Sequence, residues 1–442
     1  MRAIRALSAI AAGAAVAVTM AACTGPGTTT VKAAANGGGT AASSGAASGT
    51  AASPSAKPSP AGPVVTITPG NGATGADPSK GITVTAARGT LKNVAATAGG
   101  APVTGTYSAN HASWHSTWAL NVSQSYTVTA TAVSDGGGPS RGATTTKTAA
   151  FRTLTPASTF YTQVFEGYKQ SYGVGMPIIL TFSAPVQNKA AVERSIELQT
   201  SKPVIGSWYW DGNQTLDFRP RDYWPIHTTV SFTGHFDGVE SAPGVYGFHT
   251  LTQTFAIGDS VVAVASTQAH RTHIYVNGKL KYNWNISSGK PGDDTPDGSY
   301  LTIEKENPVR MTGPGYDLLV PWSVRFTFSG DYYHDAYWSV GQQGFENVSH
   351  GCVNLSPANA EVYYQLAVPG DPITIQNSPR SGAWDNGWTE WFLSWPQYLK
   401  GSATGEAVVA NASGSEFVSP STLPADTAKA PLQTAPLGNA TA

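Results

Sequence analysis

The sequence predicts a mostly β protein made of several domains in succession, and three observations lead to this prediction. The chain has 442 residues, a length that suggests about three domains. Its 48 glycines and 30 prolines suit many turns and short strands rather than long helices. Short segments that alternate apolar with polar residues recur along the chain and are separated by turn residues.

Residues 63–155 and 156–258 carry the same kind of strand pattern. The first block has such segments at 64–68, 81–85 and 125–130, with turn residues about every ten positions. The second block repeats the scheme at 177–182, 204–210 and 228–232. The spacing predicts two immunoglobulin-like β-sandwich domains, although neither block has the paired cysteines of antibody domains.

Residues 259–378 form a third strand-rich block. Asn277-Gly278 separates two apolar segments of this block and is a strong signal for a hairpin. Ser356 and Pro357 predict the N-cap and the first turn of a short helix. We therefore expect a third domain that is also rich in β-structure.

The chain ends in two segments of different composition. Residues 379–403 are Trp-rich, and we expect their aromatic side chains to pack back onto a neighbouring domain. Residues 404–442 consist largely of small and polar residues. Such a segment buries too little apolar surface to fold, so we expect it to be disordered.

The N-terminus has the features of an export signal. Residues 1–22 combine Arg2 and Arg5 with an apolar, Ala-rich core that ends in small residues, which predicts a signal peptide. Cys23 follows directly and resembles the lipidated cysteine of a bacterial lipobox. Residues 23–62 then read as the lipidated cysteine and a disordered tether. We expect a lipid-anchored protein on the extracytoplasmic face of the cell membrane, facing the cell wall; an ordinary secretory signal is the alternative.

Cys352 is the other of the two cysteines and lies in the run Ser349-His350-Gly351-Cys352, eighteen residues after His334. A free thiol has a pKa near ~8.5, so a catalytic cysteine needs a base or a positive charge close by. A small buried cysteine with incidental histidines is the alternative. An exported chain that has no partner for a disulfide favours a nucleophile, with a histidine to ionise it.

The residues around Cys352 resemble the catalytic domain of L,D-transpeptidases of the YkuD type. A histidine, a spacer and then Ser-His-Gly-Cys-x-Asn form the specific part of the match, which covers about 120 residues. The two preceding immunoglobulin-like domains and the lipoprotein signal are similar to those of mycobacterial and other actinobacterial members. The residues that carry the resemblance are 295–298, Tyr316, 329–339 and 349–356.

The resemblance implies a role for each residue of the site. Cys352 is the nucleophile, His334 is the general base, and the backbone carbonyl of Asp335 fixes the imidazole. Backbone N–H groups around His350, Gly351 and Cys352 hold the oxyanion. His350 either takes part in catalysis or only orients the loop. The remaining residues contact substrate or shape the pocket, and they are Tyr316, Trp338, Ser349, Asn354 and Met311. Tyr316 also assists at the oxyanion, or it is a core aromatic residue.

The sequence departs from the family in two places. The flap between Gly298 and Tyr316 is shorter than in mycobacterial members and lacks a flap tyrosine, although Met311 matches a flap methionine. Position 335 is Asp where Ser is common. These changes affect the surroundings of the cysteine and the histidine but leave both residues in place.

The predicted function is therefore an L,D-transpeptidase that forms 3→3 cross-links in peptidoglycan through a thioester on Cys352. Its partners are stem peptides, a donor tetrapeptide and a diamino-acid acceptor, together with the membrane through the lipid. An L,D-carboxypeptidase and a non-catalytic wall-binding protein are the alternatives. The net charge of −1 argues against nucleic acid. We infer no cofactor and no metal site.

Overall fold

The computed structural model of the chain describes residues 62–136, 141–167, 169–313 and 315–424. The predicted signal peptide, Cys23, the tether as far as residue 61 and the tail from residue 425 lie outside the described residues. In the described part, strands dominate and the helices are short, which confirms the mostly β class. No helix among these residues is both long enough and apolar enough to cross a membrane.

The first sandwich consists of two four-stranded antiparallel sheets. Their orders are β1-β2-β6-β5 and β4-β3-β7-β8. Alternation along β1 and β7 turns Val65, Ile67, Tyr126 and Val128 into the core between the sheets. The strands are β1 (Val64–Thr68), β2 (Thr83–Ala87), β3 (Thr90–Ala98), β4 (Ala101–Pro102), β5 (Gly105–Tyr107), β6 (Ser113–Ser116), β7 (Ser125–Val133) and β8 (Thr144–Arg152).

The second sandwich begins after a short connection, since β8 ends at Arg152 and the next strand begins at Ser158. We propose that the boundary between the two sandwiches lies at 155/156, within this connection. Its core is rich in aromatic residues, among them Trp208, Phe218 and Trp224. Its elements are β9 (Ser158–Phe160), β10 (Thr162–Val164), β11 (Ser171–Tyr172), β12 (Ile178–Phe182), α1 (Lys189–Arg194), β13 (Ile196–Thr200), β14 (Val204–Asp211), β15 (Thr215–Pro220), β16 (Thr229–Gly234), β17 (Glu240–Ala242), β18 (Val245–Gly247) and β19 (Leu251–Ile257).

The third domain combines two sheets, a hairpin and one helix. The elements are β20 (Val261–Ser266), β21 (Arg271–Val276), β22 (Lys279–Asn285), β23 (Gly298–Leu301), β24 (Glu304–Glu306), β25 (Val309–Gly313), β26 (Tyr316–Val320), β27 (Ser323–Arg325), β28 (Tyr332–Asp335), β29 (Val353–Leu355), α2 (Pro357–Leu366) and β30 (Pro372–Gln376). The sheets have the orders β22-β21-β20-β30-β23 and β24-β27-β28-β29, and β25 pairs with β26.

Two local predictions for this domain are confirmed. Asn277 and Gly278 form the two-residue turn between β21 and β22, with φ values of 49° and 76°. A turn of type I′ needs positive φ at both positions, and Asn-Gly supplies it at low cost. Ser356 is the N-cap of α2 and Pro357 occupies its first turn.

Packing beneath β28 fixes the strand that carries His334. Tyr333, the neighbouring residue, points to the opposite side and is fully buried. Its ring lies 6.0 Å from Phe326 and 4.9 Å from Tyr363 of α2, measured between ring centroids. Tyr333 therefore anchors β28 in the core and leaves His334 on the face that meets β29.

The Trp-rich extension packs onto the second sandwich. Trp391 joins the core of that sandwich, and its indole N–H donates to the Gly175 carbonyl at 2.8 Å. Arg219 is 2% exposed, with its guanidinium carbon 4.4 Å from the ring centroids of both Trp391 and Tyr398. A buried cation between aromatic faces is stabilised by the ring quadrupoles. Tyr398 belongs to α3 (Trp395–Leu399).

The expected disorder from residue 404 is wrong as far as residue 424. Two strands follow α3, namely β31 (Ala407–Asn411) and β32 (Gly414–Val418). They complete a sheet of the order β10-β12-β15-β14-β31-β32, in which β31 lies antiparallel to β14. The run Ala407 to Ala410 is short, but it meets an apolar sheet edge some 200 residues earlier in the chain, which a composition argument cannot detect.

Removing residues 404–442 should destabilise the protein, whereas removing only 425–442 should not. Ala407, Val408 and Ala410 are 0%, 2% and 0% exposed, so the longer deletion exposes their contacts and the edge of β14. Burial of one valine and two alanine methyl groups is worth about 3–5 kcal/mol. Thermal unfolding of both truncated proteins, each lacking residues 1–61, measures the effect. Equal thermal midpoints would contradict a stabilising role for β31.

Candidate active site

The pairing of β28 with β29 brings the motif residues together. The two strands run parallel, and His334 lies opposite Asn354. Cys352 immediately precedes β29 and is partly buried. Because side chains on a strand alternate, His334, Asn354 and Cys352 share one face of this sheet.

His334 is held as a neutral imidazole with a defined tautomer. Its Nδ1 donates to the backbone carbonyl of Asp335 at 2.7 Å, which leaves Nε2 without a hydrogen. The side chain is 3% exposed, and this burial lowers its pKa to about 4 although the hydrogen bond opposes the shift. The contact with the Asp335 carbonyl is the one that the resemblance implies.

The Asp335 carboxyl lies apart from this contact. It is 6% exposed, and burial raises its pKa while a hydrogen bond from the Tyr337 backbone opposes the shift. Its Oδ1 has no hydrogen-bond partner in the described part of the chain. The backbone of residue 335 thus orients His334, and the structure gives the Asp side chain no part in that orientation.

Burial favours the protonated form of the Cys352 thiol. Its Sγ donates to the Gly330 carbonyl at 3.8 Å. Desolvation, followed by the charge of Asp331, raises the pKa of the thiol to about 12, while a hydrogen bond from the Tyr332 backbone opposes the shift. Burial thus disfavours the charged form of both His334 and Cys352, and the role of His334 as general base stays a prediction.

Ser349 closes the loop that presents Cys352. Its hydroxyl donates to the Cys352 carbonyl at 2.6 Å and accepts the Gly351 N–H at 3.1 Å. The side chain of Thr295 donates to the Gly351 carbonyl at 2.6 Å. Ser349 therefore holds the loop instead of facing substrate, and the Gly351 N–H is occupied, which leaves those of His350 and Cys352 as oxyanion candidates.

Gly351 is required by its conformation and by its neighbour. Its φ is +123°, and a Cβ at this position would lie 2.3 Å from Oδ1 of Asp331. Any side chain would clash with a carboxylate that is itself fixed. Gly351 thus allows the Asp331 carboxylate to lie close to the backbone of the cysteine loop.

His350 is exposed, and its contacts differ from those expected of a general base. The Lys290 ammonium lies 2.8 Å from His350 Nε2, and Lys290 also pairs with Asp293 at 3.3 Å. An ammonium only donates, so His350 accepts at Nε2 in this contact. With Nε2 occupied, the geometry favours an orienting role for His350.

The flap covers the cysteine from one side. Met311 and Cys352 both pack against a small cluster formed by Val309, Val320 and Tyr332. The Tyr316 ring lies 5.1 Å from the His350 ring, between centroids, and is only partly buried, so Tyr316 is not a core aromatic residue. Its pKa is raised, first by desolvation and then by the neighbouring acidic groups Cys352, Asp293 and Asp331, which keeps its hydroxyl protonated.

Trp338 and Asn354 act together at the other side of His334. The Trp338 ring stacks on His334 with a centroid distance of 5.9 Å and is 45% exposed, so it forms an outer wall. Asn354 is 2% exposed and its amide donates to the Ser339 hydroxyl at 2.9 Å. Ser339 belongs to the same 3-10 turn as Trp338, so Asn354 supports that wall from beneath.

Sequence reasoning missed Asp331 and Lys290. Asp331 is 6% exposed and accepts hydrogen bonds from the hydroxyls of Thr327 and Ser329. Thr327, Ser329 and Asp331 stand close together in a short polar segment before a strand, which was a usable signal for a shared hydrogen-bond network. Lys290 lies sixty residues before His350, and no local pattern marks it.

We expect Cys352 to remain a thiol at neutral pH in the free protein, with the His334 imidazole neutral until the pH falls through about 4. The ultraviolet absorbance of thiolate, taken as the difference between wild type and Cys352→Ala, should stay flat across the neutral range and rise only in strong alkali. Appearance of the signal below the ordinary cysteine pKa would show a thiolate–imidazolium pair instead.

Comparison with known proteins assigns two families along the chain. A family described as bacterial Ig domain matches residues 73–240, and one described as L,D-transpeptidase catalytic domain matches residues 260–375. L,D-transpeptidase 2 of Mycobacterium tuberculosis is 31% identical over 353 residues, which are 77% of this chain and 85% of that protein. L,D-transpeptidase 5 of the same species is 31% identical over 364 residues, 78% of each protein.

One solved structure covers a shorter part of the chain. It is that of the L,D-transpeptidase LdtMt1 in complex with imipenem, with 37% identity and a TM-score of 0.42 over 50% of this chain and 100% of that one. The long matches to the two relatives span both the sandwich region and the catalytic domain. The chain belongs to the L,D-transpeptidase family and is an acyltransferase.

Proposed function

We propose that this L,D-transpeptidase cross-links peptidoglycan stem peptides through a thioester on Cys352, with His334 as the proton carrier. One observation carries the proposal: Cys352 shares a sheet face with a buried imidazole whose Nε2 is free of hydrogen. A non-catalytic wall-binding protein would have no use for an imidazole fixed in one tautomer beside a lone thiol.

In the first half-reaction, Cys352 attacks the carbonyl of the donor peptide. Because the resting thiol and imidazole are both neutral, the S–H proton passes to His334 Nε2 as the S–C bond forms. The negative oxygen of the tetrahedral intermediate is stabilised by backbone N–H groups of the 350–352 loop and by the protonated Tyr316 hydroxyl. The C–N bond then breaks, and the terminal amino acid leaves with the proton from His334.

In the second half-reaction, an amine of the acceptor stem attacks the thioester. The new C–N bond forms, the C–S bond breaks, and the proton released by nitrogen returns through His334 to Cys352. If water attacks instead, the same enzyme is an L,D-carboxypeptidase. Trp338 and the flap pack on two sides of the pair, at His334 and at Cys352.

Incubation with purified disaccharide-tetrapeptide should yield a cross-linked dimer, identified by mass. His334→Ala should lower the rate by a factor of about 10²–10⁴, the usual contribution of a positioned base. Cys352→Ala should abolish both the dimer and the covalent carbapenem adduct seen by intact-protein mass spectrometry.

His350→Ala is the matched control, since its Nε2 faces Lys290. It should cost much less than His334→Ala. A larger loss for His350→Ala would exchange the roles of the two histidines, and an adduct on Cys352→Ala would remove the nucleophile assignment. Release of tripeptide without dimer would make hydrolysis the reaction.

The proposal includes a lipid anchor on Cys23, supported by the apolar N-terminal segment that ends in Ala-Ala-Cys. The tether to residue 62 would let the enzyme reach the wall from the membrane. Cys23→Ser should move the full-length protein from the membrane fraction to the soluble or secreted fraction, measured by fractionation and immunodetection. Membrane association that survives this change would show that another element anchors the chain.

A further inference from the structure

Asp331 is a buried carboxylate fixed beside the nucleophile. Its Oδ2 accepts from Thr327 Oγ1 at 2.7 Å and from Ser329 Oγ at 3.1 Å. Its backbone N–H also donates to Thr327 Oγ1, at 2.7 Å. These bonds and a side chain that is 6% exposed give the carboxylate one orientation.

The other oxygen of this carboxylate points toward the cysteine loop. Oδ1 lies 2.3 Å from the position that a Cβ on Gly351 would occupy, and only the lack of that atom makes the approach possible. Within the described ranges, the side-chain hydrogen bonds of the Asp331 carboxylate are made by Oδ2, to Thr327 and Ser329. The nearby Asp293 carboxylate pairs with Lys290.

The charge of Asp331 opposes the first half-reaction. It is the second cause, after desolvation, of the raised pKa of Cys352, and it contributes to the raised pKa of Tyr316. A carboxylate at this place makes both the thiolate and the developing oxyanion harder to form. The same carboxylate would attract a group that carries a positive charge.

We infer that Asp331 Oδ1 is the binding subsite for the primary ammonium group of the acceptor substrate. This inference rests on the proposed function, in which an amine attacks the thioester next to Gly351. An ammonium group there would donate a charged hydrogen bond to Oδ1. The subsite thereby selects a cationic acceptor over water, and so transfer over hydrolysis.

The proton balance of the second half-reaction follows from this placement. Asp331 takes one proton from the ammonium, and the neutral amine forms the C–N bond as the C–S bond breaks. The second proton of nitrogen passes to His334 Nε2 and then to Cys352 Sγ. Asp331 returns its proton to solvent, so that one amide, one thiol and one free proton are produced from the ammonium and the thioester.

The test uses Asp331→Asn, which keeps the shape of the side chain and can still accept from Thr327 and Ser329. With disaccharide-tetrapeptide as donor and a free diamino acid as acceptor, the ratio of transfer to hydrolysis should fall by about 10- to 100-fold, through a higher KM for the diamino acid. Acylation of Cys352 by a carbapenem should be as fast as in wild type or faster, since one opposing charge is gone.

Glu361→Gln is the matched control, because it removes one negative charge from an exposed position on α2. It should leave both rates unchanged. An unchanged KM for the diamino acid in Asp331→Asn would overturn the inference, and so would slower acylation in a variant with wild-type thermal midpoint. If the asparagine variant does not fold, Asp331→Ser is measured by the same criteria. Failure of wild type to form any acyl-enzyme would instead refute the proposed function.

Discussion

The parallel pairing of β28 with β29 is the constraint on which the site depends. It places His334 opposite Asn354 and Cys352 at the start of the neighbouring strand, although eighteen residues separate the histidine from the cysteine. The intervening segment then crosses over the sheet and supplies both the Trp338 wall and the Ser349 loop. A shift of one residue in this register would turn His334 and Cys352 to opposite faces.

Burial has opposite effects on the two partners and thereby produces a neutral resting pair. The same desolvation lowers the pKa of His334 and raises that of Cys352, which favours the neutral form of each group before the substrate binds. A thiol in this state is protected from indiscriminate alkylation and oxidation, because thiolate is the reactive form. A substrate that pairs with the Asp331 carboxylate, or that donates a hydrogen bond to the sulfur of Cys352, would make it easier for the thiol to lose its proton.

Much of this was accessible from the sequence, because the signals were local. The strand spacing predicted the mostly β class, Asn277-Gly278 predicted a hairpin, and the Ser-His-Gly-Cys run with His334 led to the family. What escaped prediction depends on residues that meet only after folding. The ionisation of Cys352 depends on its desolvation and on Asp331, and the order of residues 407–418 depends on the edge of β14. The occupied N–H of Gly351 likewise follows from a loop geometry that no spacing encodes.

The addition of β31 and β32 to the second sandwich makes the catalytic domain an insertion. Strands on both sides of it in the chain, β14 and β31, lie next to each other in one sheet. Growing from its N-terminus, the chain must therefore leave that sheet incomplete while about 200 further residues are made. The pairing of β14 with β31 joins residues far apart in sequence, and contacts of such large sequence separation form slowly. The second sandwich can therefore be completed only after the whole catalytic domain has been synthesised.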